Sequence, residues 1–318
     1  MFKTIPFYIL LIFLNSMQIF SVPSDIDVDS VKILFFHGPT YKNYAEYNLD
    51  DAKSILQHPK FIHKHTTLFL HGFNNTRQNN STKLLASSYL KRNSSNFLNI
   101  DWEKLSRVEY ITAQQNVLKI SPRIADFIIN LFQYGLEENN LNLLGNSLGS
   151  LGVGVIARNV VERSNGFRMI SRMTLFDPSN EETHGEFIMP PIDKTVAKFV
   201  DVIHTDAGGI GTTNSVGHVD FWPNNGTALQ PGCPDKKLRR LCSHRKATAY
   251  WAESVRYGSS KSMLAFASGN YDTLLNDGLD NYNNSAVLMG IDCNWSARGD
   301  YYLQYNTTYG DFYPVFTE

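Results

Sequence analysis

Cysteine is scarce. Only Cys233, Cys242 and Cys293 occur in 318 residues, too few and too scattered for a disulfide-dense mini-domain or a four-ligand zinc site. An excess of one charge sign is also missing, because 29 Lys and Arg face 30 Asp and Glu. That balance removes the electrostatic stripe a nucleic-acid binder uses for counterion release, and no basic stretch interleaved with aromatics supplies one locally. After the first residues there is no internal repeat, no Pro- or Ser-rich linker and no low-complexity block, so nothing marks a second domain. Disorder as the main state is excluded by 42% hydrophobic and 13% aromatic residues, enough for a sizeable core.

Long apolar runs are confined to the start. The segment MFKTIPFYILLIFLNSMQIFS has a cationic Lys3, an apolar stretch from Ile5 to Leu14, and small or polar residues at Ser16 and Ser21. This is the pattern of a secretory signal peptide over residues 1–21. A transmembrane anchor is the alternative, but the run is short for about 30 Å of hydrocarbon. The expected product is a secreted, extracellular chain in an oxidising setting, slightly acidic (net −2) once Lys3 is removed. Glycosylation sequons at Asn74, Asn79, Asn80, Asn93, Asn225, Asn283, Asn294 and Asn306 agree with export, with only some expected to carry sugar. Asn74 is the least expected to be modified, because it adjoins the candidate site described below.

A single domain over 22–318 is at the upper edge of the usual size range, which favours an α/β architecture. Short apolar runs ending in Gly, Asn or Asp predict buried strands at 32–36, 67–70, 96–100, 141–144, 173–176 and 199–203. Ile124, Phe127, Ile128, Leu131 and Phe132 predict an amphipathic helix with Pro122 in its first turn. Repeated strand then helix means a largely parallel sheet covered on both faces. In such sheets catalytic groups gather at the carboxyl edge of the strands.

Leu143-Leu144-Gly145-Asn146-Ser147-Leu148-Gly149 places a G-x-S-x-G between an apolar strand and a helical segment carrying Leu151, Val155, Ile156 and Val160. The pentapeptide alone is weak, but its setting suits a nucleophile, since the glycines allow a sharp turn that exposes the Ser147 hydroxyl above the sheet. Such a serine needs a base and a carboxylate, in the chain order Ser, Asp or Glu, His on this kind of sheet. Asp177 ends an apolar run and precedes Pro178; His244 lies in Cys242-Ser243-His244, just before a helix-like segment with Ala247, Tyr250, Trp251 and Val255. Pattern alone leaves His244 in competition with His71, His204 and His218. Oxyanion donors would be the amides of Leu148 and of Phe73, the latter in the loop after Leu68–Leu70, with the Phe73 ring as an apolar wall for an acyl chain.

These residues resemble the secreted pancreatic-lipase-like family of α/β-hydrolases, which includes neutral lipases, phospholipase A1 enzymes of insect venoms and tissues, and lipase-like yolk proteins. The matching segments run in order: LFLHGF at 68–73, GNSLG at 145–149, FDPS at 176–179, FVDVIHTDAG at 199–208, VGHVDFWPNNG at 216–226, QPGC at 230–233, CSH at 242–244, YWAES at 250–254 and SARGDYYL at 296–303. The resemblance implies an α/β-hydrolase fold, a triad of Ser147, Asp177 and His244, and Phe73 with Leu148 as oxyanion donors. It makes His71, His204 and His218 structural. It also implies that Cys233 and Cys242 pair to close a lid, which leaves Cys293 as a lone buried thiol.

Departures from the family pattern refine this expectation. Asn146 stands where His is usual before the nucleophile, which predicts modulation of activity. The family's calcium loop keeps only Asp193 of its acidic residues, so no calcium, other metal or cofactor is expected. A late cysteine pair is missing, with Ser268 and the region near Asp280 in its place. Only eight residues, Pro234–Leu241, separate the lid cysteines, and the loop between Thr205 and Gly217 is also short. Such reductions resemble the phospholipase A1 branch, where an open cleft admits a polar headgroup. Lys236, Lys237, Arg239 and Arg240 make the stub cationic, either a solvated face or a dock for anionic lipid. The chain stops soon after Tyr301–Tyr305, so no β-sandwich appendage and no colipase-like partner are expected. The expected function is hydrolysis of a lipid carboxylic ester, phospholipase A1-type, with a neutral lipase as the close alternative and a non-catalytic lipid-binding or yolk-storage protein as the alternative of another class.

Overall fold

The computed structural model describes residues 26–180, 187–234, 239–268, 270–277 and 286–305. The leader, Lys236, Lys237, the region near Asp280 and the sequons at Asn283 and Asn306 lie outside these residues.

The described strands are β1 (Lys32–Phe36), β2 (Tyr44–Tyr47), β3 (His65–Leu70), β4 (Ser95–Asp101), β5 (Leu141–Asn146), β6 (Ile170–Phe176), β7 (Ala197–Ile203), β8 (Val219–Pro223), β9 (Leu264–Ala267), β10 (Ala286–Leu288) and β11 (Gly299–Leu303). They form one sheet in the order β10-β9-β11-β8-β7-β6-β5-β3-β4-β1-β2. From β4 through β11 neighbours run parallel, while β1, β2, β9 and β10 pair antiparallel at the flanks. This is the α/β-hydrolase fold. All six expected strands lie within β1, β3, β4, β5, β6 and β7.

The helices are α1 (Ala52–Leu56), α2 (Asn80–Arg92), α3 (Glu103–Ser106), α4 (Tyr110–Gln133), α5 (Leu148–Arg163), α6 (Arg239–Tyr257) and α7 (Tyr271–Asp277). Strand side chains alternate between two cores. On one face Leu68, Leu70, Leu143, Met173 and Leu175 pack with Val117, Ile124 and Ile128 of α4 and Val153 and Ile156 of α5. On the other, Phe69, Leu144, Phe176 and Phe199 pack with Leu85 and Tyr89 of α2 and Tyr250 and Trp251 of α6.

Two local expectations need correction. Pro122 lies in the interior of α4, not in its first turn, because Ala113, Val117 and Ile120 extend the apolar stripe back to Tyr110. The proline removes one backbone donor, and beside it the Ser121 hydroxyl donates to the Val117 carbonyl at 2.6 Å. His244 likewise sits inside a helix, since α6 begins at Arg239.

The amino end of the sheet is closed by a buried cation. Arg172 of β6 is 2% exposed and donates to both carboxylate oxygens of Asp201 on β7, at 2.9 and 2.8 Å. Its remaining donors reach the Gly290 and Ile291 carbonyls at 2.9 and 3.1 Å, and its guanidinium lies over the Trp251 and Phe199 rings. Thr174 adds a donor to Asp201 at 2.7 Å. Each of the three Arg172 nitrogens has an acceptor and Asp201 has its cation, which favours persistence of the buried charge in the folded state.

Candidate active site

At the opposite edge of the sheet β5 ends in Asn146 and α5 begins at Leu148, so Ser147 occupies the turn alone, at φ 57° and ψ −125°. A non-glycine residue at positive φ is strained and persists where its surroundings fix it. Here the Ser147 amide donates to the Phe176 carbonyl at 3.0 Å and the Ser150 amide to the Ser147 carbonyl at 2.9 Å. A Cβ at Gly145 would lie 2.5 Å from the Gly149 carbonyl oxygen, and one at Gly149 would strike the Leu70 carbonyl. The two glycines of the pentapeptide are therefore what let helix α5 leave strand β5 so abruptly.

Asp177 follows β6, also at positive φ (43°), and is completely buried. Its Oδ1 accepts from the Thr205 and Asp206 amides at 2.7 and 3.0 Å. Its Oδ2 lies 2.6 Å from His244 Nδ1. A carboxylate only accepts, so Nδ1 carries the proton and the lone pair of the imidazole is on Nε2. The carboxylate leaves little room: a Cβ at Gly211 would come 2.5 Å from it.

Ser147, His244, Phe73, Asn74, Asn75, Tyr110, Asn146, Ile210, Leu241 and Arg245 line one cleft of about 230 Å³. Phe73 and Tyr110 pack edge to face at 5.1 Å and form an apolar wall. Gly72 brings this loop against the elbow; a Cβ there would stand 2.8 Å from the Asn146 carbonyl oxygen. Among the described residues the amides of Phe73 and Leu148 have no hydrogen-bond acceptor.

Ser147 Oγ bonds not to His244 but to Ser179 Oγ, at 3.0 Å. Ser179 in turn bonds the Tyr110 hydroxyl, whose pKa burial pushes up. Neither Ser179 nor Tyr110 was predicted as a site residue. The first lies two positions after Asp177 and the second opens α4, and only the folded chain joins them. Asn146 is also placed here, with its side-chain amide donating to the Phe176 carbonyl at 3.3 Å.

The three competing histidines are engaged elsewhere. His71 is completely buried, stacks on Trp102 and contacts the Gly72 carbonyl at 3.1 Å. His204 stacks on Trp222 at 3.8 Å with Nε2 2.9 Å from Asp220. His218 Nδ1 accepts from the Val200 amide at 3.0 Å. The carboxylate left from the calcium pattern, Asp193, accepts from the Thr195 amide and hydroxyl.

Cys233 and Cys242 form a disulfide, and Cys293 is free and buried, with its thiol pushed up to about 12 by burial and by the Asp201 charge. Of the basic stub, Arg239 is exposed. Arg240 is exposed as well, and its guanidinium reaches the buried Asp206 at 3.3 Å. Burial, reinforced by the neighbouring Asp177, pushes the Asp206 carboxyl above its ordinary value while Arg240 opposes the shift. A charge left in that buried loop would otherwise stand uncompensated.

The chain is similar to several known proteins. The pancreatic triacylglycerol lipase of Sus scrofa is 30% identical over 255 residues, 73% of this chain and 54% of its own length. The pancreatic lipase-related protein 2 of Cavia porcellus is 27% identical, over 81% of this chain and 58% of its own. The chain thus spans about half the length of the relatives it matches. Among solved structures, the carboxylesterase EstE1 from a metagenomic library aligns with a TM-score of 0.30, 14% identity and 49% of each chain. A family model described as Lipase matches residues 14–309, a span that holds the elbow, the Asp177–His244 pair and the disulfide alike, and the chain belongs to that lipase family.

Proposed function

We propose that this chain is a secreted serine hydrolase of lipid carboxylic esters, cleaving the sn-1 ester of phospholipids through an acyl-enzyme. The observation that carries the reading is the buried Asp177 carboxylate 2.6 Å from His244 Nδ1, with the strained Ser147 in the same cleft.

Ser147 Oγ turns from Ser179 to His244 Nε2, gives up its proton and attacks the ester carbonyl. The Phe73 and Leu148 amides stabilise the oxyanion, and free donors at such positions are worth on the order of 3 kcal/mol each in the transition state. His244 then protonates the leaving alcohol, while Asp177 fixes the tautomer and stabilises the imidazolium. Water, deprotonated by His244, releases the fatty acid. Retention of all three residues favours this reading over a non-catalytic lipid carrier on the same scaffold.

Support for secretion comes from the leader pattern and from a disulfide, which persists in oxidising compartments. Support for phospholipid comes from the eight-residue stub between the disulfide cysteines, which leaves the cleft mouth short of a long apolar lid. The names of the relatives favour a second reading, hydrolysis of triacylglycerol. Product analysis separates the two: a phospholipid with different acyl chains at its two positions is assayed beside a triacylglycerol. Release of the sn-1 chain at the higher rate supports the phospholipase reading, and turnover confined to triacylglycerol overturns it. Lys236, Lys237, Arg239 and Arg240 would favour anionic surfaces by about 1 kcal/mol each; unchanged binding to anionic vesicles after all four are changed to Ser removes that role.

A further inference from the structure

Arg245 differs from the other arginines withdrawn from water. Arg77, Arg92, Arg123, Arg158, Arg168 and Arg172 each reach a carboxylate or a carbonyl, and Arg256 lies against the Tyr257 ring. The Arg245 side chain has no hydrogen bond and no ion pair among the described residues, although it is only partly exposed. Burial pulls its guanidinium below the ordinary value, and no acidic group among the described residues opposes that shift.

Its position gives this unmatched cation a use. Arg245 follows His244 on α6, and both line the cleft that holds Ser147. Among the described residues the cleft lining contains no Asp or Glu; its other polar groups are the Asn74, Asn75 and Asn146 amides and the Tyr110 hydroxyl. A planar guanidinium in a half-desolvated cleft suits a bidentate contact with phosphate oxygens. In ester cleavage the leaving alcohol is protonated by the base and so departs beside it. A group next to His244 on the same helix therefore meets the alcohol portion of the substrate and not its acyl chain, which has the Phe73–Tyr110 wall.

We infer that Arg245 forms a phosphate subsite on the leaving-alcohol side of the cleft, so that the enzyme selects esters whose alcohol carries a phosphodiester. This rests on the hydrolase reading above and names the residue that sets its substrate class. The ligand chemistry is phosphate; the source assigned is the lipid headgroup. No covalent step is added to the reaction, since Arg245 binds and orients.

The test compares kcat/KM for a monomeric short-chain phosphatidylcholine, for the diacylglycerol of the same chains and for p-nitrophenyl butyrate. The wild type, Arg245→Gln and Arg245→Lys are each assayed. In Arg245→Gln the phospholipid-to-diacylglycerol ratio falls on the order of tenfold or more, chiefly through KM, and Arg245→Lys restores part of it. An unchanged ratio overturns the inference, as does an equal loss on every ester, which is the mark of a structural role. Wild-type hydrolysis of p-nitrophenyl butyrate without hydrolysis of the phospholipid overturns the headgroup assignment and leaves the hydrolase reading standing. Inactivity of the folded wild type on all three esters overturns the hydrolase reading itself. Inorganic phosphate tests the source: if it inhibits p-nitrophenyl butyrate hydrolysis in wild type but not in Arg245→Gln, while the phospholipid ratio is unchanged, the site serves free phosphate and the headgroup assignment falls.

Discussion

The two ends of the sheet treat arginine in opposite ways. At the amino end Arg172 is enclosed by Asp201, Thr174, two carbonyls and the Trp251 ring, with an acceptor for each of its three nitrogens. At the carboxyl end Arg245 stands partly withdrawn from water, and among the described residues nothing matches its side chain and the Phe73 and Leu148 amides of the same cleft lack acceptors. Fold stability favours the first arrangement, because an unmatched buried polar group costs roughly 1–3 kcal/mol or more. The second is what a site looks like when the missing partner is a substrate. Even within the carboxyl edge the two kinds lie side by side, since the Asp177 carboxylate has three donors while the Ser147 hydroxyl, among the described residues, has only Ser179.

This contrast can be broken at either end. The largest effect is expected for Ser147→Ala, which should reduce ester turnover by about 10^5-fold or more while the melting temperature hardly moves; near wild-type turnover would remove the nucleophile from the account. Asp177→Asn should follow, with a loss of about 10^4-fold in kcat, because an amide no longer fixes the imidazole tautomer. That variant is checked by steady-state kinetics on a soluble ester with circular dichroism as the folding control.

At the amino end the prediction concerns stability. Arg172→Met leaves Asp201 buried without its cation and should cost about 3–5 kcal/mol, read as a lower urea midpoint. A loss below about 1 kcal/mol would mean that the matched cluster is not what holds this edge.

The smallest effect is a pH dependence. Lys246 is nearly inaccessible, and burial pulls its ammonium from 10.5 to about 8, with Glu253 opposing the shift. Between about 8 and the ordinary lysine range the unfolded chain holds a proton that the folded chain has released, so stability rises with pH across that window. Below it both states are protonated and the gain is absent. Urea denaturation at pH 7.5 and 9.5 should show this rise in wild type and a flatter dependence in Lys246→Met; equal slopes in the two proteins contradict the assignment.

Much of the fold can be read along the chain because the parallel core strands are continuous apolar runs, as 141–144 and 173–176 illustrate. The flanking strands are harder. β2, β9 and β10 are partly exposed and only three or four residues long, too short for an apolar run to stand out. Pro122 misled because proline suits a helix start, whereas here the apolar stripe of α4 already runs through it. The elbow and Asp177 can be read from residue types in a fixed order, whereas order alone leaves His244 in competition with His71, His204 and His218 and only the family resemblance selects it. Ser179, Tyr110 and Arg245 are not legible, since nothing in their local sequence marks them and only the approach of β6, α4 and α6 puts them beside Ser147.

The central claim is that Ser147 at the carboxyl edge is an activated nucleophile poised by His244 and Asp177. Its most direct test is labelling of the folded protein with a fluorophosphonate, followed by peptide mass mapping. A single covalent adduct on Ser147 is expected, absent in Ser147→Ala and strongly slowed in Asp177→Asn. An unlabelled wild type, or an adduct on another serine such as Ser179, would contradict it.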